Sequence, residues 1–206
     1  MTPGAIIAPC DGVIAARGQA VDGELLQVKG KTYRLDDLLA SPALGARLRG
    51  GDYATIYLSP RDYHRVHSPV AAKLVGYDYV PGSLWPVNPR VAARVDQLLA
   101  RNERVVIRLD AGKLGQVAFV MVGAAGVGNM RLALAPEQGG FDSASLRGSR
   151  EIHRVELADQ RVARGDELGA FRLGSTIVMV FEPGKATLVG DVGAAVRFGE
   201  RMGSVT

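Results

Sequence analysis

The segment Ile177-Val178-Met179-Val180-Phe181 is apolar at every position. A run this short has the length of a strand rather than a helix. Apolar side chains at both parities mark a strand buried on both faces. Working outward, Ala54–Leu58, Val105–Leu109 and Val117–Val122 are further runs of the same kind. The chain's 26 glycines and 10 prolines punctuate these runs and supply the turns that many short strands need. Helical periodicity appears in two places. From Asn88, a side chain suited to an N-cap, and Pro89, suited to the first helical position, an apolar stripe runs through Val91, Ala92, Val95, Leu98 and Leu99. A second helix is expected near Asp36 with Leu38 and Leu39, and Pro42 either breaks it or begins another. The pattern predicts an α+β fold, predominantly β: a single domain, residues 1–206, of antiparallel sheets with a few short helices.

Two glycine-rich stretches need placing. Gly123-Ala124-Ala125-Gly126-Val127-Gly128 lacks the Gly-Lys-Ser/Thr ending of a phosphate loop, and no helical pattern follows it, so a tight strand connection is expected. Residues 136–150 are polar and rich in Gly and Ser, which predicts a surface loop.

Composition narrows the function classes. A net charge of +4 with no block of like charges argues against a dedicated nucleic-acid binder. It suits either an ordinary solvated surface or contact with an anionic membrane. Cys10 is the one cysteine, which rules out an intramolecular disulfide and points to a reducing compartment. The first residues, Met1 to Pro9, are too short and interrupted for a signal peptide. No run of ~18 apolar residues is present, so membrane association is expected to be peripheral.

Three motifs can carry chemistry. Pro9-Cys10-Asp11-Gly12-Val13 holds an Asp-Gly pair, an ordinary turn signal. In Leu58-Ser59-Pro60-Arg61-Asp62-Tyr63-His64-Arg65-Val66-His67, two histidines stand three residues apart. A metal site is disfavoured, because no HExxH pattern is present and Arg61 and Arg65 would oppose a cation. Acid–base work suits histidine, whose pKa lies near working pH; loop residues satisfied by hydrogen bonds are the plainer alternative. The third motif, Phe171-Arg172-Leu173-Gly174-Ser175-Thr176, enters the apolar run. It is turn chemistry by itself, and it is not the Gly-x-Ser-x-Gly elbow of hydrolases.

Taken in order, Asp11, the phrase Tyr57 to His67 and then Leu173-Gly174-Ser175-Thr176 resemble the bacterial, pyruvoyl-dependent phosphatidylserine decarboxylase proenzymes. Tyr79-Val80-Pro81-Gly82, Val87-Asn88-Pro89, Arg101 to Val106 and Phe181 to Gly184 extend the resemblance over roughly residues 8–203. Cys10 and Ser68 stand where the family often has alanine and methionine, and neither change removes a group that the chemistry needs. Ten residues precede Asp11, where family members usually carry a longer N-terminal extension.

The resemblance implies a self-processing enzyme. Ser175 attacks the Gly174 carbonyl, with His67 as base and Asp11 orienting its imidazole. Cleavage between Gly174 and Ser175 yields a β chain, 1–174, and an α chain, 175–206, that begins with a pyruvoyl group made from Ser175. That group, with neither a metal nor pyridoxal phosphate, then serves as the electron sink for converting phosphatidylserine to phosphatidylethanolamine and carbon dioxide. His64 is implied as the acid that returns a proton. Also implied are a heterodimer of the two chains, a possible homodimer, and a peripheral position on the cytoplasmic side of the bacterial cell membrane, with no nucleic acid as partner. Tyr79, Val80, Leu84, Trp85 and Pro86 form either an apolar stretch for the bilayer interface or core and turn residues. Three other readings stay open: a pyruvoyl decarboxylase of a soluble amino acid, a serine hydrolase using Asp11, His67 and Ser175, and a non-enzymatic β module with a hairpin across Gly165–Gly184.

Overall fold

The computed structural model describes residues 4–27, 31–125, 129–133, 140–172 and 175–206. Its strands in chain order are β1 (Ala5–Ile7), β2 (Gly12–Gln19), β3 (Glu24–Leu26), β4 (Thr32–Arg34), β5 (Asp52–Leu58) and β6 (Arg65–His67). Then come β7 (Ala72–Val80), β8 (Arg104–Asp110), β9 (Gln116–Val122), β10 (Met130–Leu132), β11 (Phe141–Asp142) and β12 (His153–Val162). The last are β13 (Glu167–Phe171), β14 (Ser175–Phe181), β15 (Ala186–Leu188), β16 (Ala195–Val196) and β17 (Arg201–Val205). The fold is α+β and predominantly β, as its sequence pattern predicts.

The dominant layer is an antiparallel sheet of eight strands in the order β12-β7-β8-β9-β14-β5-β2-β16. The apolar run forms β14, an inner strand paired with β9 on one side and β5 on the other, and all seven of its residues are buried. Side chains alternate across a strand. Ile177, Met179 and Phe181 therefore join Ile56, Leu58 and Phe119 on one face, while Val178 and Val180 join Ala118, Val120 and Leu38 on the other. Burying the five apolar side chains of Ile177–Phe181 contributes on the order of 10 kcal/mol. Smaller sheets complete the architecture: β11-β10-β13-β6, β1-β17-β15 and the pair β3-β4.

Helices α1 (Leu35–Leu39) and α2 (Pro42–Leu48) flank Ser41, whose hydroxyl accepts from the Leu44 amide at 3.3 Å. Pro42 thus begins a helix rather than breaking one. The stripe from Asn88 fares differently. Asn88 does cap it, accepting from the amides of Arg90 and Val91 at 3.1 Å. The helix then stops and restarts, as α3 (Pro89–Ala92) and α4 (Leu98–Arg101), with Gln97 at φ 55° between them. The buried Gln27 side chain explains the break. Its Nε2 donates to the carbonyls of Ala92 at 2.6 Å and Val95 at 2.8 Å, and its Oε1 accepts from the Leu98 amide at 2.8 Å. A side chain remote in sequence takes over backbone groups that a continuous helix would pair internally.

Other expectations shift too. Gly126–Gly128 and residues 136–139 lie outside the described residues. Of the expected 136–150 loop, the described part holds β11 and a 3-10 turn at Ser143–Leu146. It is tied down because the buried Ser143 hydroxyl accepts from the Met130 amide at 3.0 Å and Phe141 packs on Tyr77 and Tyr79. A hairpin across Gly165–Gly184 is not formed, since β13 and β14 belong to different sheets.

Candidate active site

The histidine phrase is built around one turn. β5 ends at Leu58, and the chain reverses through Ser59-Pro60-Arg61-Asp62. The Asp62 amide donates to the Ser59 carbonyl at 2.9 Å, and the Asp62 carboxylate accepts from the Ser59 amide at 2.6 Å. A short acidic side chain closing its own turn is the reason Asp suits this position. β6 then runs antiparallel to β13, with Arg65 opposite Ala170 and His67 opposite Glu167. On its other side, the His67 amide donates to the Pro9 carbonyl at 2.9 Å. That bond brings the Asp11 motif alongside, 56 residues away in the chain.

Leu173 and Gly174 lie outside the described residues, and the same segment contacts the chain on either side of them. Before them, the Phe171 amide donates to the His64 carbonyl at 3.0 Å. After them, Ser175 sits opposite Leu58 as the first residue of β14. Alternation places Ser175 on the face of Ile177 and Met179, shared with Leu58, Val66 and Cys10. Ser175 is fully buried, and among the described residues its Oγ has no hydrogen-bond partner. A buried hydroxyl without a partner costs about 1–3 kcal/mol, and here it leaves a nucleophile uncommitted.

His67 is buried and held on three sides. Its Nδ1 lies 2.9 Å from the Gly165 carbonyl oxygen and its Nε2 3.1 Å from the Tyr63 hydroxyl. Phe198 stacks on its ring with centroids 3.9 Å apart. Burial is the largest influence on its pKa and lowers it. The Gly165 bond and the carboxylates of Glu167 and Asp166 oppose that, and Arg65 adds to it. The net effect favours the neutral ring, with one nitrogen lone pair able to accept a proton.

Asp11 reaches that ring through Phe198: its Oδ1 accepts from the Phe198 amide at 2.8 Å. Among the described residues, no hydrogen bond or ion pair joins Asp11 to His67 directly. His64 lies in the loop before β6, half-buried, with Nε2 3.3 Å from the Pro60 carbonyl and Nδ1 buried without a partner among the described residues. Cys10, beside Asp11, is buried; burial first, then Asp11 and Asp62, push its thiol up, so it stays protonated and unreactive.

The wider surroundings divide by strand register. Thr176 pairs with Val122, Val122 with Arg104 and Arg104 with Val80, so the chain leading to Trp85 leaves the sheet at the same end as Ser175. In the apolar stretch there, Tyr79 and Val80 are buried, while Trp85 is 46% exposed. Two grooves, of about 560 and 380 Å³, lie around Ala71 and Ala111 at the other end of the sheet and include none of the predicted site residues.

Sequence reasoning passed over three contributors. Tyr63 stood in the quoted phrase without being singled out. Phe198 is a lone aromatic 131 residues from His67, with no local pattern to mark it. The Gly165 carbonyl is backbone, which no residue type announces.

Residues 1–204 match the family described as phosphatidylserine decarboxylase. Individual relatives agree. A phosphatidylserine decarboxylase proenzyme of Anaeromyxobacter sp. (strain K) is 42% identical over 200 residues, covering 96% of this chain and 70% of the relative. One of Pseudomonas aeruginosa (strain LESB58) is 43% identical over 203 residues, covering 96% and 68%. One of Brevibacillus brevis (strain 47 / JCM 6285 / NBRC 100599) is 39% identical over 181 residues, covering 87% and 63%. The chain thus spans about two thirds of the length of these relatives. With a family match over nearly every residue and identities near 40%, the chain belongs to the phosphatidylserine decarboxylase family.

Proposed function

We propose that this chain is a self-processing, pyruvoyl-dependent decarboxylase that converts phosphatidylserine to phosphatidylethanolamine. The observation that carries this reading is the surroundings of Phe171 and Ser175: the His64 carbonyl holds Phe171, Leu58 faces Ser175, and the Ser175 hydroxyl has no partner among the described residues.

In maturation, the neutral His67 takes the proton of Ser175 Oγ through Nε2 as the oxygen attacks the Gly174 carbonyl carbon. The Gly174–Ser175 C–N bond breaks, an ester bond forms in its place, and the proton passes to the freed amine. Loss of the Ser175 α-proton then expels the Gly174 carboxylate. The dehydroalanine left at 175 takes up water and loses ammonia, which leaves a ketone at the head of chain 175–206. Asp11 serves this step as a positioning residue: its bond to the Phe198 amide seats the aromatic ring that backs His67.

The residue that must become the pyruvoyl group suits that role, because Ser175 is buried, lies first in an inner strand and has an uncommitted hydroxyl. When present, that group supplies an electrophilic carbonyl and an electron sink next to the carboxylate that leaves. His64, whose carbonyl holds Phe171 ahead of the cleavage site, is assigned the return of a proton to the substrate α-carbon. The two product chains remain one unit, because β14 lies between β9 and β5 and β17 pairs with β1. We assign the unit to the cytoplasmic face of an anionic membrane, peripherally, where only the lipid head group enters the site, and a homodimer is the assembly implied by family resemblance. No helix among the described residues is long and apolar enough to cross a membrane.

Intact mass spectrometry of fresh protein beside Ser175→Ala tests the reading. The expected result is two wild-type chains split after Gly174, the smaller carrying a ketone in place of its amine, and one uncut variant chain. Incubating the wild type with phosphatidylserine vesicles and with free serine then identifies the substrate. A wild-type chain that stays intact while folded overturns the proposal.

A further inference from the structure

The contacts of His67 settle where its proton sits. A carbonyl oxygen only accepts, so Nδ1, 2.9 Å from the Gly165 carbonyl, carries the hydrogen. In the neutral ring the one remaining lone pair is on Nε2. That lone pair is already engaged: the Tyr63 hydroxyl lies 3.1 Å away and donates to it. Tyr63 is itself steadied, with its ring 9° from parallel to that of His67 and the Arg65 guanidinium 4.9 Å above its centroid. Arg65 is in turn paired with Glu167 at 3.3 Å. Meanwhile Ser175 Oγ, the atom that would give its proton to this base, is buried and has no partner among the described residues. Base and nucleophile are both buried, and the base's single acceptor position is filled by a different hydroxyl.

We propose that Tyr63 is a positioning residue that restrains self-cleavage: its hydroxyl holds the Nε2 acceptor of His67 and must leave before that nitrogen can take the Ser175 proton. The inference rests on the reading of His67 as the maturation base. The exchange balances. The Tyr63 O–H···Nε2 bond opens and a Ser175 O–H···Nε2 bond forms. The serine proton then moves to Nε2 as the Oγ–carbonyl bond is made, and the phenol keeps its own proton throughout. Tyr63 also keeps the ring in plane while it waits, so the hydroxyl and the ring have separable effects.

The test is pulse-labelled cell-free synthesis, following conversion of the full chain to fragments 1–174 and 175–206 in wild type, Tyr63→Phe and Ser175→Ala, with melting temperature as a control for folding. Tyr63→Phe keeps the ring and removes the competing donor, so its cleavage should be about 2- to 10-fold faster, the equivalent of one neutral hydrogen bond. Replacing Tyr63 by 3-fluorotyrosine, a near-isosteric and stronger donor, should slow cleavage, and it decides the matter should Tyr63→Phe fold poorly. Cleavage of Tyr63→Phe that is unchanged overturns the proposal. So does slower cleavage at an unaltered melting temperature, since the hydroxyl would then be passing the proton on rather than blocking its path. A wild-type chain that never cleaves removes the underlying maturation reading, and this proposal with it. A wild type that cleaves normally beside an unaccelerated Tyr63→Phe removes only the role of Tyr63.

Discussion

Gln27→Ala is expected to loosen the structure far more than a single polar truncation ordinarily does. The side chain is 4% exposed and makes three hydrogen bonds: two donated to the carbonyls of Ala92 and Val95 and one accepted from the Leu98 amide. Each neutral bond contributes about 0.5–1.5 kcal/mol. The three therefore set a loss of about 1.5–4.5 kcal/mol, and buried backbone groups left unpaired keep the figure away from its lower end. For a chain of this size that is a fall in melting temperature of about 3–18 °C. Gln27→Glu sharpens the test. It keeps the acceptor for Leu98 but turns an oxygen toward two carbonyls that need a donor, so it should be at least as damaging as alanine. The effect should reach the site as well. Gln27, Val87, Ala92 and Leu99 share with Thr55 and Thr176 a small cavity on the face of β14 opposite Ser175. Urea unfolding of the two variants in a Ser175→Ala background, where no cleavage complicates the baseline, supplies the numbers. A loss below about 0.5 kcal/mol for both would refute the claim that this side chain holds the break between α3 and α4.

The remaining predictions concern chemistry. His64→Ala should still cut itself but lose decarboxylation by ~10²–10⁴-fold, whereas His67→Ala should remain one chain; gel analysis and carbon dioxide release separate the two. Asp11→Ala removes a charge-assisted bond to the Phe198 amide, worth about 1.5–3 kcal/mol, and should slow maturation by about 10- to 100-fold in a cell-free time course. Because burial lowers the His67 pKa, its neutral form persists below about pH 6.5, the ordinary value for histidine. The rate of self-cleavage should therefore stay level as pH falls to that point and drop only further into acid. The same shift means that the unfolded chain binds the extra proton first. The stability contribution of neutral His67 is thus present above pH 6.5 and lost as pH falls below it, which acid titration of His67→Gln against wild type would detect.

The sequence by itself determined the strands and the chemistry-bearing residue types. Ile177–Phe181 is apolar at both parities and has one way to be buried, as an inner strand, and β14 is one. Asn88 is a local signal that needs only its own backbone to act, and it caps a helix as expected; Pro42, which by sequence could break a helix or begin one, begins α2 behind the Ser41 cap. The family is likewise legible from one eleven-residue phrase and a serine motif. Tertiary structure decided what depends on groups far apart in the chain. The Asn88 stripe satisfies helical periodicity, and it breaks only because Gln27 competes for its carbonyls. Asp11 and His67 carry the residue types of a direct pair, but the ring is held by Gly165, Tyr63 and Phe198, with Asp11 acting one residue removed. A periodicity records which face of an element is apolar, whereas a hydrogen-bond partner is chosen by distances of ~3 Å. Such distances exist only once the sheet has set Leu58 opposite Ser175 and Pro9 against His67.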